Sequence, residues 1–152
     1  MHLAQLFNRS AQEIETWAQG FQQKASQLGL PFGLWRKIFN TRMAQEVGLW
    51  AAEQGKGDLF HKAAFKAYMV DEQNIALKDV LLKLVESAGL SATEADAVID
   101  KRTFKDAVDK DWELSRRMRI TAVPTLAING MLLGGAQPYE QIVRFVKTVN
   151  TS

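Results

Sequence analysis

Two short apolar runs, Leu126–Ile128 and Met131–Leu133, constrain the fold of this chain more than any other feature of its sequence. They are separated by Asn129-Gly130, the pair that most readily adopts the two positive φ angles of a type I′ turn, so the sequence predicts a β-hairpin. Runs that are apolar at successive positions are typical of strands covered on both faces, and helices are therefore expected on both sides. Val123-Pro124 leads into the first strand, and only bonds to proline adopt the cis form at low cost, so a cis peptide bond is predicted there.

Helical patterns fill most of the remaining sequence. Ser10 and Glu13 form a capping box, and Gly29 provides a Schellman-type stop, which together predict one helix. Apolar spacing and capping signals predict six further helices. Three are capped by Asn40 or Thr41, by Asp58 and by Ser91, and the others begin at about Ile75, near Thr103 and at Pro138. The four tryptophans are expected in the core. The predicted organisation is one domain, with a helical region over residues 10–119 and a C-terminal ββα segment over residues 120–152.

The composition argues against nucleic-acid binding and against a membrane-spanning helix. The 19 basic and 17 acidic residues give a net charge of +2, which provides no basic surplus for nucleic-acid binding. No apolar run approaches the roughly 18 residues that a membrane-spanning helix needs. Met1–Phe7 is too short and polar for a signal peptide, so a cytoplasmic location is the default expectation. The chain contains no cysteine.

Several segments resemble one protein family. Val123-Pro124-Thr125, the hairpin after it, and Gly135-Ala136-Gln137-Pro138 resemble the C-terminal end of FrnE-like proteins, in the DsbA branch of the thioredoxin superfamily. Upstream, Pro31-Phe32 followed by Asn40-Thr41 is similar to the start of the family's long insertion. The run Phe60–Tyr68 is similar to the helix that follows. The resemblance implies that Pro124 is the family's cis-proline, which lies beside the active site.

The resemblance extends from about residue 10 to the end and implies an α/β thioredoxin-like fold of the DsbA type, here incomplete. The family begins with a strand, a Cys-x-x-Cys motif at a helix start and a second parallel strand, and this sequence contains no equivalent of that unit. Gln45 and Glu46 also occupy the positions where the family's His-Arg pair is expected. The family's activity is thiol–disulfide exchange, which requires a thiolate. This chain is therefore expected to be a truncated, redox-inactive relative of those oxidoreductases.

Val123 and Pro124 are the best candidates for a binding site. In the proteins that the chain resembles, the residue before the cis-proline offers its main-chain N–H and C=O to an extended peptide or to glutathione, as in strand addition. Because the cysteines are absent, a structural role for the proline is favoured over a binding role. His61 has no second metal ligand nearby and is interpreted as a surface or helix-packing residue, and Asn40-Thr41 as a helix cap. The acidic residues of the sixth predicted helix point around different faces, which favours a solvated surface over a cation site. No catalytic residue, metal or cofactor is predicted, because no phosphate loop, Ser-His-Asp set or zinc spacing occurs in the sequence.

The resemblance also implies that a strand is missing beside Leu126–Ile128, which would leave an exposed apolar edge. Three outcomes are expected to resolve it: the chain is part of a longer gene product, a second copy covers the edge in a homo-oligomer, or the N-terminal residues cover it. Two alternatives to the oxidoreductase assignment remain. One is a non-catalytic binding or assembly module, and the other is a glutathione-binding relative of kappa-type transferases and chromene carboxylate isomerases. Gly135-Ala136-Gln137-Pro138 favours the FrnE-like branch over the latter.

Overall fold

Helices dominate the computed structural model, which describes residues 1–150. The elements in chain order are α1 (Leu3–Phe7), α2 (Ala11–Gln27), α3 (Arg42–Glu53), α4 (Gly57–Met69), α5 (Lys78–Ser87), α6 (Ala92–Lys101), α7 (Lys105–Arg117), β1 (Thr125–Ile128), β2 (Met131–Gly134) and α8 (Tyr139–Asn150). The chain divides into two units, Met1–Val108 and Asp109–Ser152. Among residues 1–150, no helix combines the length and the apolar content that crossing a bilayer requires.

Helix α2 begins and ends where its sequence signals predict. The Ser10 side chain accepts a hydrogen bond from the Glu13 N–H at 3.2 Å, and the Ser10 N–H donates to the Glu13 carboxylate at 2.9 Å. At the other end Gly29 has a φ of 69°, and the Leu30 N–H donates to the Ala25 carbonyl at 2.9 Å. The capping box and the Schellman-type stop are therefore both confirmed.

The core of the first unit lies between α3, α4, α5 and α6, each of which packs against at least two of the others. These helices bury one apolar face each, because their apolar residues recur at helical spacing. Burying each large side chain contributes about 1.5–3 kcal/mol. The fully buried apolar residues of this core include Val47, Ala51, Leu81, Val85 and Ala95, with Trp50 and Phe60 nearly so.

Four predicted helix starts were wrong by one to three residues, among them that of α8, which begins at Tyr139, one residue after the predicted first position Pro138. Helix α4 begins at Gly57, one residue before the predicted cap Asp58, whose carboxylate lies in the first turn near the positive end of the helix dipole. Helix α5 begins at Lys78 rather than near Ile75, because the Asn74 side chain accepts the Ala76 N–H at 3.1 Å and holds the preceding residues in a turn. Helix α7 begins at Lys105.

The first residues of the chain pair with a segment that we call the arm, residues 30–41. His2 forms an isolated antiparallel bridge with Lys37, and the Leu3 N–H donates to the Arg36 carbonyl at 3.1 Å. The arm contains no regular strand, and its one β-bridge is that between Lys37 and His2. Helix α1 was not predicted, because its five residues carry no capping motif.

Gly33 brings the arm against the end of α4. Its N–H donates to the Met69 carbonyl at 2.7 Å, and the Leu34 N–H donates to the Glu72 carboxylate at 2.7 Å. A Cβ atom on Gly33 would lie 2.6 Å from the Val70 carbonyl oxygen, well inside van der Waals contact. The close approach of the two backbones therefore depends on glycine.

The prediction that all four tryptophans are buried was wrong for two of them. Trp50 is 5% exposed, whereas Trp17 and Trp112 are 42% and 44% exposed. Trp17 does lie on the apolar face of α2, where its ring meets the edge of Phe7 with centroids 5.7 Å apart. The single short helix α1 packs there and covers only part of that face.

In the second unit, α8 packs against β2. Leu126, Met131 and Leu132 remain between 38% and 43% exposed, so the prediction that helices cover both faces of the hairpin was wrong. Helix α8 has a single apolar stripe and can cover only one face of a two-stranded sheet. Helix α8 thus covers only part of the apolar surface of the hairpin.

Candidate functional site

The chain enters the hairpin through a Schellman-type closure at the end of α7. The Ile120 N–H donates to the Ser115 carbonyl at 3.0 Å, and the Arg119 N–H donates to the Arg116 carbonyl at 2.9 Å. Arg119 has a φ of 57°, the left-handed conformation that glycine usually occupies at this point of the motif. A side chain in this conformation costs about 1–2 kcal/mol, so an arginine at this position lowers the stability of the fold relative to glycine.

Arg119→Gly is expected to raise the free energy of unfolding by roughly 0.5 kcal/mol, because relief of the backbone strain exceeds the extra entropy of glycine in the unfolded chain. Urea unfolding followed by tryptophan fluorescence measures the difference. Arg116→Gly is the matched control, since it removes the same side chain from within α7 and should destabilise by up to about 1 kcal/mol. Destabilisation by both substitutions would refute the strain at Arg119.

The peptide bond between Val123 and Pro124 is cis, as predicted. The Thr125 hydroxyl donates to the Ala122 carbonyl at 2.6 Å, and the Gly135 N–H donates to the Pro124 carbonyl at 2.7 Å. These two bonds connect the loop to both strands of the hairpin. Val123 is 89% exposed, and its main-chain N–H and C=O have no hydrogen-bond partner among residues 1–150.

The register of the hairpin follows from its two-residue turn. Asn129 and Gly130 have φ angles of 48° and 78°, so the predicted type I′ geometry is confirmed. Ile128 pairs with Met131 across the turn, and the sheet consists of β1 and β2 alone within the described residues. The hairpin is antiparallel throughout its length.

The same register decides which main-chain groups remain available. In an antiparallel pair, hydrogen-bonded and non-hydrogen-bonded residues alternate, and the pair that flanks a two-residue turn is hydrogen-bonded. Leu126 and Ile128 therefore direct their main-chain groups to β2, whereas Thr125 and Ala127 direct theirs away from it. We call the outward groups of Thr125 and Ala127, together with those of Val123, the open edge. An extended segment that pairs here would add a third strand.

The stretch of sequence between Glu113 and Glu140, which includes the open edge, carries charge of one sign. From residue 114 to residue 139 the sequence contains three arginines, at positions 116, 117 and 119, and no acidic residue. All three side chains are exposed and form no ion pair or hydrogen bond with any of residues 1–150. A surface of this composition attracts anions.

The other residues that the sequence singled out make packing or helix-capping contacts. The His61 ring packs against Phe65 on the surface of α4, with centroids 4.5 Å apart and ring planes inclined by 37°. The Asn40 side chain accepts the Arg42 N–H at 2.9 Å, as a residue at a helix start does. No group of three or more histidine, aspartate or glutamate side chains within the described part of the chain could hold a metal ion.

Glu46 is a buried carboxylate whose role was not predicted. It is 2% exposed and accepts hydrogen bonds from the Nε atoms of Arg42 at 2.8 Å and of Arg102 at 2.7 Å. Arg42 also donates to the Lys105 carbonyl at 2.7 Å, so the cluster connects α3 to the α6–α7 junction. Arg102, and then Arg42, hold the pKa of Glu46 below its usual value against the opposing effect of burial. Because every carboxylate oxygen is paired, the cluster is structural.

Comparisons with known proteins give consistent matches. The sequence model of a family described as "DSBA-like thioredoxin domain" matches residues 3–147. The chain is 29% identical over 123 residues to the uncharacterized protein YwbO of Bacillus subtilis (strain 168), an alignment that covers 79% of this chain and 62% of YwbO. It is 30% identical over 84 residues to disulfide bond formation protein D of the same organism, covering 55% of this chain and 38% of that protein.

A solved structure, that of a probable DsbA oxidoreductase from Streptomyces coelicolor, matches with a TM-score of 0.87 and 21% identity. The match covers 99% of this chain and 66% of the other. The chain thus spans less than two thirds of the length of YwbO and of the Streptomyces protein. The match confirms the predicted fold, which is mostly helical with a small two-stranded sheet and a C-terminal helix.

Proposed function

This chain belongs to the family of DsbA-like thioredoxin domains, and from that premise we propose that it supplies the peptide-binding edge of a thiol–disulfide oxidoreductase without itself exchanging disulfides. The observation that carries the proposal is the open edge. Its outward main-chain groups have no hydrogen-bond partner among residues 1–150, and Val123 is 89% exposed. An extended peptide gains main-chain hydrogen bonds at such an edge whatever its sequence, which suits a protein that handles many unfolded substrates.

The redox step belongs to other groups in this proposal. The 152 residues include no cysteine, so the thiolate that attacks a disulfide must come from another polypeptide or another segment. The role left to this chain is to hold the substrate backbone in an extended conformation. Glutathione, itself a short peptide, is the smaller ligand that could pair with Val123.

We also propose a cytoplasmic location, which cell fractionation with immunoblotting would test.

Ala127→Pro tests the edge directly. Proline removes the outward N–H of residue 127 and leaves the bonds between β1 and β2, since edge positions with an outward N–H accept proline. Binding of a short fluorescein-labelled peptide of alternating valine and threonine should weaken roughly tenfold, the effect of losing about one net hydrogen bond. Fluorescence anisotropy measures the affinity. Ala127→Gly keeps the N–H and should bind as the wild type does; equal binding by all three proteins would refute the proposal.

A second copy of the chain is the alternative occupant of the open edge. The exposed apolar side chains of Leu126 and Met131 beside unpaired main-chain groups favour self-association, in which two β1 strands would pair. The chain would then act as a non-catalytic assembly module and form a homo-oligomer. Light scattering at tens of micromolar distinguishes the two functions, because Ala127→Pro would convert such an oligomer to a monomer.

A further inference from the structure

We propose that the open edge selects extended peptides with carboxylates beside the paired segment, and that Arg116, Arg117 and Arg119 recognise them. This inference rests on the proposed function and adds a substrate class to it. The observations that support it are the charge of the three arginines and the backbone conformation of Arg119, and both are independent of the main-chain groups of the open edge.

The three arginines differ from those of the first unit, and Arg144 in α8, which has no ion pair with any of residues 1–150, donates to the Glu140 carbonyl at 3.3 Å. Each arginine of the first unit, at positions 9, 36, 42 and 102, forms an ion pair with a carboxylate. Arg116, Arg117 and Arg119 form none with any of residues 1–150. With 17 acidic residues against 19 basic ones, acids are available in the chain, yet none lies between residues 114 and 139. The cations are thus arranged without internal partners next to the open edge.

The backbone of Arg119 is the second observation. Its left-handed conformation would suit glycine better, and a strained residue that persists is an indication of a role for its side chain. Arg102 provides a parallel within the same chain, since it too is left-handed, with a φ of 51°, and its guanidinium binds Glu46. The guanidinium of Arg102 binds a carboxylate of its own chain, and we infer that the guanidinium of Arg119 binds a carboxylate of another molecule.

Arg119 and the open edge are close enough along the chain for one peptide to contact both. Val123 follows Arg119 by four positions, a span of at most about 14 Å even when fully extended. A peptide paired along the open edge would continue past Val123 towards the arginines. Guanidinium groups bind carboxylates through two parallel hydrogen bonds, which adds direction to the charge attraction.

Two labelled peptides with the same alternating valine–threonine core test the inference, one flanked by glutamates and the other by glutamines. At low salt the wild-type protein should bind the glutamate peptide roughly tenfold more tightly, as a few exposed ion pairs provide. The preference should be lost in the triple variant Arg116→Gln/Arg117→Gln/Arg119→Gly and should decline with added salt.

The matched control is Lys24→Gln/Lys62→Gln/Lys83→Gln, which makes the same change in net charge on exposed lysines of α2, α4 and α5. It should keep the preference, and equal losses in both triple variants would overturn the inference. Equal binding of the two peptides by the wild type would also overturn it while leaving the proposed function standing. Binding of neither peptide would count against the proposed function itself. Circular dichroism and urea unfolding establish that each variant is folded.

Discussion

Replacing Glu46 by alanine is expected to lower the free energy of unfolding by about 3 kcal/mol, the largest effect that we expect from one substitution. The change leaves two guanidinium groups without their carboxylate. Arg42 has a side-chain exposure of only 16%, so its charge would remain largely buried, whereas Arg102 at 43% can turn towards water. The partial exposure of Arg102 places the expected loss at the lower end of the range for broken buried ion pairs.

The effect should depend on pH in a defined direction. The pKa of Glu46 is lowered in the folded protein, so its contribution is present above the pKa of about 4.3 of an unfolded glutamate and is lost as pH falls through the folded value. Urea unfolding of the wild type and Glu46→Gln should therefore differ most near neutral pH and converge in acid. Glu53→Gln, an exposed site on the same helix, should change stability by less than about 0.5 kcal/mol. A constant difference at all pH values would contradict the ion-pair explanation.

No catalysed thiol–disulfide exchange is expected from this chain. Exchange proceeds by attack of a thiolate on a disulfide sulfur through a mixed disulfide, and no other side chain replaces that nucleophile. With no cysteine in 152 residues, reduction of insulin by dithiothreitol should run at the uncatalysed rate at every protein concentration. Turbidity of the precipitating insulin chains measures that rate.

The result should also hold across the pH range in which a cysteine would ionise. A member of the same family that contains Cys-x-x-Cys is the positive control, and it should accelerate precipitation in proportion to its concentration. Acceleration that scales with this chain, in a preparation shown by mass spectrometry to be free of thiol proteins, would disprove the account of its chemistry.

Features set by neighbouring residues were predictable from the sequence. Asn129-Gly130 determines the turn because few other pairs adopt two positive φ angles, and Ser10 with Glu13 determines the start of α2 through two local hydrogen bonds. Val123 and Pro124 were identified in the same way, from a loop, a strand and a turn within a dozen residues. The cis bond is confirmed, and a binding role for Val123 stays a prediction.

Features set by distant residues were not predictable in the same way. Glu46 stands next to Gln45 in a helix whose pattern gives no sign that one of these polar residues is buried and the other exposed. The spacing of Arg42 and Glu46 by four residues was the one local signal. Arg102 lies 56 residues further along, and only folding brings it to Glu46. The exposure of Trp17 likewise depends on how much of α2 another helix covers.

Gly33 limits how this chain can be altered, by natural variation or by design. It lies in the arm, outside every helix and strand, where insertions and substitutions are usually tolerated. Any side chain would push the arm away from Val70 and separate both hydrogen bonds that fasten it to the end of α4. A redesign that chose substitutions in loops by solvent exposure alone would treat position 33 as replaceable, yet the structure accommodates only glycine there.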